Sequence, residues 1–142
     1  HFHTTEVQLA VLWAANEALD TGGKLVLDIA NPHVEANARP SGCCVLEAVR
    51  ENNGESLLYE WTVTESDLSH QLMTVLTMYD TLAADGKVTR ESANVTLRLV
   101  YRYEMELLLR VAGFAVEAVL GDYDYVEYEA ESPRMVVIAC KP

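Results

Sequence analysis

The chain is 142 residues long, half of them hydrophobic and 23% charged, a globular composition with material for one domain. Its formal net charge of −12 would repel phosphate backbones, which excludes nucleic acid as an expected direct partner. No apolar run approaches the roughly 18 residues that span a bilayer as a helix, so no membrane partner is expected either.

The chain opens on HFHTT, with neither an initiator Met nor a signal-peptide pattern, and reads as cut from something longer. Thr5-Glu6-Val7-Gln8 fits a capping box. Val7, Val11, Ala14, Ala15 and Ala18 then recur at helical spacing, and Leu9, Leu12 and Trp13 widen the stripe. Such a helix is expected to be buried on more than one side. It should stop near Asp20, where Gly22 or Gly23 can take the left-handed conformation at the C-terminus. Lys24 to Ala30 reads KLVLDIA, an almost unbroken apolar run that predicts a strand covered on both faces. Asn31-Pro32 reads either as a plain turn or as a place where a ligand meets the strand end.

From Cys43 the pattern changes. Residues 45–51 and 57–64 are predicted strands separated by Asn53-Gly54, a hairpin signal. A third, near 70–82, leads through Asp85-Gly86 into a fourth near 87–99. In the fourth, Arg90, Asn94 and Arg98 alternate with Val95, Leu97 and Leu99, so one face should be covered and one wet. Cys43 and Cys44 suit neither a disulfide framework nor a metal site. They read as two small half-buried strand residues, the alternative being a redox pair, and a reducing cytoplasm is the expected compartment. Asn94-Val95-Thr96 matches a glycosylation sequon with nothing else pointing to secretion.

The helical pattern then returns over Tyr101 to Ala112, with Met105, Leu108, Leu109 and Ala112 on one face and Glu106 and Arg110 paired outside. Gly113 caps it. Phe114 to Leu120 is a predicted strand, Gly121 to Pro133 an acidic, tyrosine-rich loop, and Met135 to Cys140 a last buried strand.

These residues carry a resemblance. LDTGGKLVLDIANP resembles the segment ahead of and through strand five of class I S-adenosylmethionine-dependent methyltransferases, with Thr21 in place of a common proline. RLVYRYEMELLLRVAGFAVEAVLGDYD, beginning at Arg98, resembles their next helix and strand six, and SPRMVVIACKP their closing seventh strand. The resemblance implies an α/β fold: the C-terminal portion of a Rossmann-like methyltransferase sheet, strands 5-7-6, with an inserted antiparallel β lid. Residues 1–42 and 99–142 would be the α/β frame and 43–98 the lid. The family's Gly-rich cofactor turn is not among the seven glycines, so the N-terminal half of the domain is an expected partner.

The implied function is transfer of a methyl group from S-adenosylmethionine to O or N of a small molecule; the alternative is a non-catalytic binding or dimerising module of the same fold. His3 is the candidate base or acceptor-orienting group and Phe2 the candidate cofactor contact, their plain alternative being exposed residues near a chain end. Asn31, Tyr59, Trp61, Arg98 and Tyr123 are candidate acceptor-binding residues. Packing between lid and frame is the other reading of Tyr59, Trp61, Tyr79 and Arg98. Asp28 is open to a role in anchoring a neighbouring loop. Arg102 and Glu104 are expected to pair on the helix surface. His33 and His70 show no partner spacing for a metal site. A homo-oligomer is compatible with this reading.

Overall fold

The computed structural model describes residues 2–37, 41–52 and 56–142. In chain order the elements are α1 (Thr5–Ala18), β1 (Lys24–Ala30), α2 (Pro32–Asn37), β2 (Cys44–Asn52) and β3 (Ser56–Asp67). They continue with β4 (Leu72–Ala83), β5 (Val88–Arg98), α3 (Arg102–Val111), β6 (Ala115–Leu120) and β7 (Arg134–Cys140). Two compact units result: a frame holding α1, β1, α2, α3, β6 and β7, and an insertion holding β2 to β5 as far as Leu97.

The frame is a three-stranded sheet in the order β1-β7-β6, with β7 antiparallel to both neighbours, as the resemblance implied. On β7, Met135, Val137 and Ala139 are buried on one face and Val136 on the other, where Ile138 and Cys140 are half-buried, so the central strand is shielded along its length. β1 is not. Its exposure alternates, with Leu25, Leu27 and Ile29 packed on the core while Val26 on the other face is 58% exposed. Among the described elements, α1 and α3 both cover the same face, through Leu12, Met105, Leu108 and Leu109. That is why the expected second covered face of β1 is absent. α1 is likewise buried only at Leu12, with Val7, Val11 and Trp13 exposed.

The ends of α1 differ in detail from the sequence expectation. The N-cap is Thr4, whose hydroxyl accepts from the Val7 amide at 3.4 Å, and Gln8 reaches back to the Phe2 carbonyl at 3.1 Å. At the other end Leu19 is the C-cap, and Lys141 donates to the Asn16 and Leu19 carbonyls at 2.7 and 2.8 Å. A cation is favoured there because the last carbonyls of a helix are unpaired and carry its negative pole.

The insertion is a four-stranded sheet in the order β2-β3-β4-β5. The Asp85-Gly86 turn closes its last hairpin, with the Ala83 amide bonded to the Lys87 carbonyl at 2.9 Å and Gly86 at φ 84°. The Asn53-Gly54 turn lies outside the described residues. β5 is exposed from Val88 to Asn94 and half-buried from Val95 to Arg98. Its exposure thus changes along the strand, not from face to face as expected. Cys43 and Cys44 are exposed rather than half-buried.

Candidate functional site

In the frame, the residues that bear chemistry gather at two places. The first is the C-terminal end of β1, where open α/β sheets receive ligands. Asn31 follows β1 and N-caps α2, with Pro32 in the first helical position, where its missing N–H costs nothing. Its Oδ1 accepts from the His33 amide at 3.0 Å and from the Tyr128 hydroxyl at 2.8 Å. Its Nδ2 donates to the Ser132 and Ala130 carbonyls at 2.7 and 2.9 Å, with that of Glu129 at 3.4 Å. Asn31 is fully buried, and a side-chain amide has two donors and two lone pairs. All are in use. Asn31 therefore offers no group to an acceptor, against the expectation from sequence; it ties the 129–132 loop to the strand end.

Beside it, Asp28 accepts from the Tyr123 hydroxyl and from Arg134 Nη1, the latter at 2.9 and 3.0 Å. Arg134 also stacks over the Tyr123 ring at 4.5 Å and donates to its oxygen at 2.6 Å. The Tyr123 hydroxyl bond, and then the Arg134 guanidinium, hold the Asp28 carboxyl below its usual range; the same carboxylate raises Tyr123. Asp28 thus anchors the loop after β6, the open alternative of the sequence reading. Tyr123 keeps a 64% exposed ring, but its hydroxyl is committed within the protein. Sequence reasoning missed Arg134. Its only signal is topological, since a β7 antiparallel to β1 brings Arg134 opposite Ala30.

The second place is the N-terminal segment. Phe2 and His3 are exposed, Phe2 by 50%. Arg98 donates to the His3 carbonyl at 3.3 Å and to Glu104 at 2.7 Å. Glu104 therefore pairs with Arg98, and Arg102 pairs with Glu106 at 2.9 Å; the expected Arg102–Glu104 pair does not form.

In the insertion, Tyr59 and Trp61 stack with ring centroids 6.4 Å apart, on the same face of β3. Opposite Tyr59 in register stands Asp80, 9% exposed and bound by Arg90 in a two-pronged pair at 2.6 and 2.7 Å. The Arg90 guanidinium is the main cause that lowers the Asp80 carboxyl. Tyr79, paired with Glu60, lies on the opposite face. Sequence reasoning missed the Asp80–Arg90 pair. The two residues stand equally far from Asp85, so the hairpin turn alone would have placed them across from each other.

Among the described residues no glycine-rich turn forms a cradle for S-adenosylmethionine. A nucleotide-type cofactor needs backbone close approach at a strand-to-helix turn. Among the described glycines, Gly22, Gly42 and Gly86 sit at open turns and Gly113 at a helix end. A side chain at Gly23 would strike the Asp20 carbonyl and one at Gly121 would strike Ser132, so both are packed against their own unit. Among the described residues no group of His, Cys, Asp and Glu could hold a metal.

No family model matches the sequence, and no curated protein matches it. Solved structures do. The chain has the fold of the C-terminal half of S-adenosylmethionine-dependent methyltransferases. The CcbJ methyltransferase from Streptomyces caelestis matches 99% of this chain with 52% of its own, at TM-score 0.74 and 19% identity. An S-adenosylmethionine-dependent methyltransferase from Clostridium acetobutylicum matches 96% of the chain with 52% of its own, at TM-score 0.76 and 12% identity. CalS10, an amino pentose methyltransferase from Micromonospora echinaspora, matches 98% with 52%, at TM-score 0.69 and 18% identity. The chain thus spans about half the length of the solved structures it matches.

Proposed function

We propose that the chain is the acceptor-side half of an S-adenosylmethionine-dependent methyltransferase that methylates O or N of a small molecule in the cytoplasm. The observation that carries this is the match of nearly the whole chain to about half of several methyltransferases. The free edge and open face of β1, with exposed Val26, are where the cofactor-binding half would add strands and cover. His3 would take the proton that an O or N nucleophile must lose, and the exposed Phe2 ring would lie against the cofactor. The insertion would serve as a lid in which Tyr59 and Trp61 give the acceptor an aromatic wall. An amino sugar is the acceptor class that the amino pentose enzyme among the neighbours suggests.

The test is to join this chain to a cofactor-binding half carrying a G-x-G turn. Calorimetry should detect no micromolar cofactor binding by the chain alone and clear binding by the joined protein. In the joined protein His3→Ala should lower kcat while leaving cofactor affinity in place. Micromolar binding by the chain alone would show that the cofactor site has been misplaced. A joined protein that binds no cofactor would favour the second reading, a non-catalytic module, which the lack of a glycine cradle among the described residues supports.

A further inference from the structure

We propose that Arg98 is the positioning residue for His3, an inference that rests on the reading of His3 as the group facing the methyl acceptor. Arg98 closes β5, and the next residues, Leu99 and Val100, are 4% and 8% exposed, which fixes its backbone in the core. Its partner Glu104, at 2.7 Å, stands in the first turn of α3. From this base the guanidinium donates to the His3 carbonyl at 3.3 Å. One end of the bridge is therefore rigid, and the other holds an exposed segment, Phe2 to Thr4, that packs little of its own surface.

The chemistry suits the task. Only 15% of the Arg98 side chain is exposed, so its charge-assisted bonds are poorly screened by water. A guanidinium presents its donors in a fixed plane and can hold a carboxylate and a carbonyl at once in set directions; an ammonium cannot. The flanking residues have their own ties, Gln8 to the Phe2 carbonyl and Val7 to the Thr4 hydroxyl, and Arg98 supplies a tie at His3 itself. The bond uses the His3 backbone and neither ring nitrogen. This replaces the direct acceptor contact that the sequence suggested for Arg98, because the guanidinium is turned into the protein.

Backbone relaxation by NMR on the 142-residue chain tests this. Arg98→Ala should drop the order parameter of His3 and Thr4 from near 0.85 to below ~0.6, with α3 unchanged, and Arg98→Lys should fall between. Glu104→Gln, a milder change that keeps the core intact, should loosen His3 in the same direction. Unchanged order at His3 in both Arg98→Ala and Glu104→Gln would overturn the proposal. With a cofactor-binding half joined, Arg98→Ala should lower kcat about tenfold with cofactor KM unmoved, and Arg98→Lys should recover part of it. Equal damage to kcat and cofactor KM would mark a merely structural role and overturn it too. Normal turnover of His3→Ala would sink the methyl-transfer role of His3 while leaving the order-parameter result standing, so the two failures are distinguishable.

Discussion

The frame and the insertion are held together by different means. The frame buries an apolar cluster from Leu12 through Leu109 and Phe114 to Val137, whose members come from α1, α3, β6 and β7. Among the described residues of the insertion those buried are Met73, Thr62, Thr64 and Asp80, three of them polar. Volume therefore decides the frame and register decides the insertion, where strands keep their places through ladder bonds and the Asp80–Arg90 pair. A core that depends on volume is sensitive to lost methyl groups. A sheet that depends on register is sensitive to its turns and cross-strand partners.

The largest effect should come from Leu109, which is 0% exposed at the centre of the frame. Leu109→Ala should destabilise by about 3–5 kcal/mol, read as a lower urea midpoint. Met73→Ala in the insertion should cost less, about 2 kcal/mol, because among the described residues the buried apolar cluster lies in the frame. Equal costs would break the contrast between the units.

Next comes Asn31. Asn31→Ala leaves the Ala130 and Ser132 carbonyls, the buried Tyr128 hydroxyl and the His33 amide without this partner, at a cost of about 3 kcal/mol. Asn31→Asp should be no better, since a carboxylate would face the carbonyl oxygens. A stable Asn31→Asp variant would mean that the side chain is less committed than its bonds imply. The two units can be set against each other through glycine as well. Gly113 in the frame has φ 89° and a Cβ there would lie 3.3 Å from Asn16 Nδ2, whereas Gly86 in the insertion has φ 84° and open space. Both alanine variants should pay the left-handed penalty of about 1–2 kcal/mol, and Gly113→Ala should pay more.

Much of the frame was legible because its signals are periodic. Met105, Leu108, Leu109 and Ala112 define the buried face of α3 by spacing alone, and MVVIAC announces a buried strand. The misread features depend on partners distant in sequence. KLVLDIA looks two-sided, yet Val26 is exposed, because what covers a strand face is not written in the strand. Asn31-Pro32 reads from sequence as a turn or a ligand-facing strand end, although the cap-then-proline order is a helix start; the bonds that saturate Asn31 come from a loop about a hundred residues away. Tyr123, Arg98 and Asn31 were read as polar groups awaiting a ligand, and each has polar atoms committed to a protein partner. His3 and Phe2 were legible as exposed residues, but the role of Arg98 beside them depends on folding that brings Glu104 and His3 together.

The smallest effect separates the units by acid. Asp28 in the frame is held below its usual range by Tyr123 first and Arg134 second, so a fixed cation stays beside it at every pH of interest. Asp67 in the insertion has an imidazole in place of that guanidinium. It accepts from Ser69 Oγ at 2.6 Å, from the His70 amide at 3.2 Å, and meets His70 Nδ1 at 2.7 Å, and these bonds, Ser69 first, lower its carboxyl from 3.8 to about 2. The sign follows from the direction. A carboxyl with a lower pKa folded than unfolded contributes stability that is full above 3.8 and fades as the pH falls toward about 2. The β3–β4 turn, where Gln71 already sits at φ 55°, should therefore loosen locally in that window while the frame sheet remains paired. A carboxyl-carbon NMR titration should show Asp67 moving near pH 2, and Asp67→Asn should loosen the turn at neutral pH and abolish the acid-dependent change in the Ser69 and His70 amides. If Asp67 titrated near 3.8, the turn would be held by its backbone, and the insertion would lose one of the side-chain ties that set it apart from the frame.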